Sequence, residues 1–79
     1  MNKYKGKSNI TGKMILKARL EKGLSLEKLS NKLQLLDVIL YPNDIFLIEN
    51  EKRILKDFEL FAISKILDIN IENMKDNIK

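Results

Sequence analysis

The sequence predicts an all-α domain of five short helices, and three observations lead there. At 79 residues the chain has room for one small core and no more. Its leucines and isoleucines recur at helical spacing, and capping residues, glycine and proline punctuate it at short intervals. It contains no cysteine, so packing alone must hold the core.

Residues 1–9 are polar apart from Met1 and Tyr4 and bury too little surface to offset their ordering entropy, which predicts a flexible basic arm ahead of a domain over 10–79. Helix 1 is expected from Thr11, as N-cap, to Lys22, with Gly23 as its stop and an inner face of Ile15, Ala18 and either Leu16 or Leu20. Ser25 caps helix 2, whose Leu29, Leu33 and Leu36 fall on one stripe. Asp37 to Tyr41 reads as an extended loop, since Pro42 restricts the residue before it. Pro42 itself suits the first turn of helix 3, which runs to Asn50 with Ile45 and Ile48 inward. After a charged turn from Asn50 to Lys56, Asp57 is expected to cap helix 4, with Leu60, Ile63, Ser64 and Leu67 inward. Asn70 opens a fifth helix with Ile71, Met74 and Ile78 on one edge, placed to close the core or meet a second subunit.

Charge narrows the possible partners. Residues 1–22 hold seven cations against Glu21 alone, a net +6, while residues 23–79 hold eight cations and ten anions, a net −2. A localised basic end suits a polyanion, and equally a solvated lysine tail. The absence of histidine and cysteine removes the usual general base, thiolate nucleophile and zinc ligands. No enzyme, metal site, cofactor or small-molecule substrate is expected, because carboxylates such as Glu49 and Glu59 read more simply as an ion pair and a solvated face. No run approaches the roughly 18 apolar residues of a membrane span, and the basic start lacks the apolar stretch of a signal peptide, so the expected location is the cytoplasm.

A helical pair joined through Gly23 is the unit of helix-turn-helix proteins, and pattern alone goes no further. The residues themselves do. Lys17 to Leu29 (KARLEKGLSLEKL) resembles the first half of Xre-type helix-turn-helix domains, the lambda-repressor/Cro family. Phe46 to Arg53 (FLIENEKR) resembles the signature that ends their recognition helix, and Asp57 to Ile69 (DFELFAISKILDI) looks like their fourth helix. The likeness covers about residues 10–74. Between the two anchors the chain is longer than common members, but Leu33 to Leu36 (LQLL) followed by a loop bearing Val38, Ile39 and Leu40 resembles a subgroup with a long turn, those three packing as a lid.

The resemblance implies a lambda-repressor-like fold and a sequence-specific, cytoplasmic DNA-binding regulator, bacterial or phage, that meets double-stranded DNA as a homodimer. It implies base contacts from Tyr41, Asn43, Asp44 and Leu47. Ser25, Asn50, Lys52 and Arg53 become phosphate contacts, with Lys3, Lys5 and Lys7 following the backbone or minor groove. Arg19 and Glu49 match positions that form a partly buried ion pair. Asp37 and Glu51 stand where the family has glycine, which implies turns of altered shape. Apolar Phe46 and Leu47 on the helix 3 face, with Tyr41, admit an alternative: the same scaffold converted to binding protein.

Overall fold

The computed structural model describes residues 5–70, with side chains from Thr11 onward. These residues form four α-helices and, among the described residues, no strand: α1 over Lys5–Glu21, α2 over Leu26–Leu35, α3 over Pro42–Glu49 and α4 over Asp57–Leu67. Among them no helix is long and apolar enough to cross a membrane. The expected fifth helix, with Ile71, Met74 and Ile78, lies outside the described residues, and Asn70 follows α4 without helix.

One core gathers Ile15 from α1, Leu29 and Leu33 from α2, Val38 and Leu40 from the following loop, Ile45 and Ile48 from α3, and Ala62, Ile63 and Leu67 from α4. The expected inner faces hold at these positions, with Ala18 and Leu60 packed against the core and Ser64 buried. Three details differ. Leu36 is the residue after α2 and points outward, because the chain leaves helical geometry before that turn completes the stripe. Ile39 is exposed between buried Val38 and Leu40, as alternation in an extended segment requires, so two residues rather than three form the lid. Leu20 is exposed and Leu16 half-buried, leaving Ile15 to carry the α1 contact.

Two helix starts also differ. Helix α1 begins at Lys5, so Thr11 sits inside it, and Lys5 and Lys7 belong to its backbone instead of an arm ahead of it. Lysine is a good helix former and no proline intervenes, so the sequence permits a helical start at Lys5. Met1 to Tyr4, with Lys3, lie outside the described residues. At α4, Lys56 occupies the N-cap and Asp57 is the first helical residue; the Glu59 carboxylate reaches back to accept the Lys56 N–H at 3.0 Å. A carboxylate three residues in does the capping that a shorter side chain at the boundary was expected to do.

The helices end alike. Gly23, Asp37, Glu51 and Asp68 follow α1 to α4 in the left-handed region, with φ of 67°, 63°, 65° and 58°. After α1, α2 and α3 the next amide returns to a carbonyl five residues back: Leu24 to Arg19 at 3.1 Å, Val38 to Leu33 at 3.0 Å and Lys52 to Leu47 at 2.7 Å. This closure satisfies carbonyls that a helix end leaves open. Asp37 and Glu51 thus hold, with a side chain present, the conformation that glycine adopts most easily.

Gly12 explains how α1 reaches α3. A Cβ built there would lie 2.6 Å from the Ile48 carbonyl oxygen and 3.0 Å from that of Glu49. Only glycine lets the two backbones come this close.

Candidate functional site

Helix α3 presents Asn43 and Phe46 to solvent on one side and is fixed to the rest of the domain on the other. Pro42 starts it with a preset φ, and Tyr41 precedes it in extended conformation at φ −76° and ψ 160°. The Tyr41 N–H donates to Asp44 Oδ2 at 2.9 Å, closing the first turn. Ile45 and Ile48 are buried, and Glu49 at the last turn is 4% exposed. Arg19 meets Glu49 in a bidentate pair, Nε to Oε2 at 2.7 Å and Nη2 to Oε1 at 3.0 Å, while its Nη1 donates to the Leu24 carbonyl at 2.9 Å. One guanidinium thus joins α1, the α1–α2 corner and α3, and its planar fork satisfies a carboxylate that burial would otherwise penalise.

The outer face of α3 carries Asn43 and Phe46, with Tyr41 before it and Asn50 after it, all exposed. Of the expected base-contacting residues, Tyr41 and Asn43 are open to solvent. Asp44 is half-buried with one oxygen committed to the cap, and Leu47 is half-buried beside the core-facing Ile48. Phe46 is the larger apolar group on the open face.

The expected phosphate contacts divide. Ser25 is exposed, and its Oγ accepts the Lys28 N–H at 3.0 Å, which leaves its own hydroxyl proton available. Lys52 is exposed; Asn50 donates its side-chain amide to the Phe46 carbonyl at 2.8 Å, keeping its oxygen outward as an acceptor. Arg53 is already engaged: Nη1 and Nη2 donate to the two Glu59 oxygens at 3.1 and 3.3 Å. The hydrogen bond from Glu59 raises the Arg53 pKa; burial opposes this, and the charges of Glu59 and Asp44 add to the rise. Lys3 lies outside the described residues, and of Lys5 and Lys7 only the helical backbone is described.

Glu59 itself was expected on a solvated face and is 3% exposed instead. Burial pushes its carboxyl up, but the hydrogen bond from Arg53, the Lys56 amide and the charges of Arg53 and Lys56 together hold it below the usual carboxylate range. No capping signature marks it in the sequence, since lysine at position 56 is not a residue type that announces an N-cap. Gly12 is the other missed residue; in sequence it reads only as a weak point in a helix.

Beside α3 the end of α2 and the long turn leave Leu35, Leu36 and Ile39 exposed, and a cleft between α2 and the start of α3 is lined by Glu27, Ser30, Gln34, Ile39 and Tyr41. The Ser30 hydroxyl donates to the Leu40 carbonyl at 2.6 Å and fixes the turn's exit. Among the described residues no group of three or more acidic side chains is placed to hold a metal ion.

No protein-family model matches the chain, and no curated protein or solved structure matches it.

Proposed function

We propose that this chain is a sequence-specific DNA-binding protein, a cytoplasmic transcriptional regulator of the Xre/Cro type with a lambda-repressor-like fold, in which α3 enters the major groove. The observation that carries the reading is the two-sided build of α3. Ile45, Ile48 and the Arg19–Glu49 pair fix one side, while Tyr41, Asn43, Phe46 and Asn50 stand in solvent on the other. The Asn43 amide can pair with N6 and N7 of adenine, and Phe46 can meet a thymine methyl. Ser25 at the start of α2, with Asn50 and Lys52 after α3, flank that helix as phosphate contacts. Arg53 is removed from that set because Glu59 already balances it. A module this small covers limited DNA, so two copies bind a roughly palindromic site.

The test is retention of random-sequence duplexes at several salt concentrations, followed by sequencing of what is bound. The expected result is a defined motif and an affinity that falls steeply between low and moderate salt. Asn43→Ala is expected to relax one or two positions of the motif. Lys52→Ala should weaken every sequence alike and flatten the salt slope by about one unit. A library returned without enrichment at every salt concentration refutes the proposal.

A second reading is favoured by the exposed apolar set Leu35, Leu36, Ile39, Tyr41 and Phe46, which extends from the long turn onto α3. On that reading the same face docks protein. Binding that hardly responds to salt and is lost in Phe46→Ala would select it.

A further inference from the structure

The face of α4 turned away from the core is its own complement. Asp57, Phe61 and Lys65 recur every four residues and are exposed, with Phe58 beside them; Phe58 is 57% and Phe61 62% exposed. The opposite side holds buried Glu59, Ala62, Ile63, Ser64 and Leu67, so α4 cannot rotate to hide the two rings. Each ring carries about 150–250 Å² of surface, which leaves an apolar patch on the order of 250 Å² on one helix. Phe61 is midway between an anion and a cation, each about 6 Å away along the axis. Rotation by a half-turn about Phe61 lays one such stripe antiparallel on another, ring against ring, with Asp57 of each copy opposite Lys65 of the other. That is the isologous arrangement of a two-fold dimer. A stripe bearing one sign of charge would repel its own copy, and this one does not.

We propose that the chain self-associates through the α4 face of Asp57, Phe58, Phe61 and Lys65, the occupant being a second copy in antiparallel register. The inference goes beyond DNA binding and does not need it, because the measurement is made without DNA. It places the pairing surface on α4 and not on the 70–79 segment.

The experiment is sedimentation equilibrium of the full chain across a wide concentration range, with thermal melts confirming that each variant still unfolds cooperatively; all four residues are exposed, so each variant should stay folded, its midpoint lowered only by the association it loses and, for the two charge reversals, by the dipole of α4. The parent is expected to dimerise and Phe61→Lys to be monomeric. Asp57→Lys and Lys65→Asp should each weaken association on the order of tenfold, by placing like charges opposite one another. Mixed together, these two variants should form a heterodimer at the parent's affinity, since each supplies the charge the other lacks. A parent that stays monomeric throughout overturns the proposal and leaves the face to residues 71–79 or another protein. Dimerisation unchanged by Phe61→Lys, or two charge variants that fail to recover on mixing, overturns it as well.

Discussion

Replacing Gly12 by alanine sets two effects of opposite sign against each other. In an isolated helix the change gains about 1 kcal/mol, because alanine loses less backbone freedom than glycine. In this protein the new Cβ would meet the Ile48 oxygen at 2.6 Å, the Glu49 oxygen at 3.0 Å and the Glu49 carbonyl carbon at 3.3 Å. All three are backbone atoms, so no side chain can swing aside. Restoring ordinary contact requires α1 and α3 to part by roughly 0.8 Å. That displacement strains the 2.7 and 3.0 Å bonds between Arg19 and Glu49, which tie the same two helices together. Overpacking of this kind costs about 1–3 kcal/mol beyond what relaxation recovers, and we expect a net loss of about 2 kcal/mol. For a domain this size the midpoint should fall by roughly 10 °C. Thermal and urea melts followed by circular dichroism measure it, with Lys13→Ala, an exposed neighbour, as control. A rise in the midpoint would refute the reasoning, since it would mean that α1 does not meet α3 at this point.

Arg19→Ala strands the buried Glu49 carboxylate and is expected to cost about 3–5 kcal/mol, enough to unfold much of the population at 25 °C; a melt like the parent's would refute the pairing. Arg19→Lys should recover only part of the loss, because an ammonium cannot make both carboxylate bonds and also reach the Leu24 carbonyl in one plane. Glu51→Gly relieves a left-handed side-chain residue and should raise stability by about 0.5–1 kcal/mol. The Glu59 carboxyl titrates below its ordinary value of 4.5 in the folded chain, so its contribution is complete above that pH and is lost as pH falls through the lower, folded value. Urea melts of the parent and Glu59→Gln should therefore differ most near neutrality and converge in acid; a gap that does not change with pH would show that the charge is not what Glu59 contributes.

What could be read in advance was whatever a single chain segment declares by itself. Ser25 and Pro42 set the starts of α2 and α3, and Leu29 with Leu33, and Ile45 with Ile48, gave their inner faces, because capping chemistry and helical period are local. The Arg19–Glu49 pair came from resemblance, not from spacing, and it spans thirty residues of sequence. Features that depend on what lies across the core were not legible. Gly12 matters only because the carbonyls at Ile48 and Glu49 face it, and nothing near Gly12 records that. Glu59 is buried because Arg53 and the Lys56 amide converge on it, whereas a carboxylate met alone is expected outside. The pairing of Arg53 with Glu59 was hidden for the same reason. The left-handed closure at Glu51 was hidden by a residue type that rarely signals one.

Helix α3 has only eight residues, far short of the length at which a helix persists unaided. Its existence and its tilt are therefore borrowed from the groups beneath it: Ile45, Ile48 and the anchored Glu49. The side chains at positions 43 and 46 hold up nothing. Either can be exchanged while the hidden half of the helix stays as it is, so the outward surface is free to change without loss of its support.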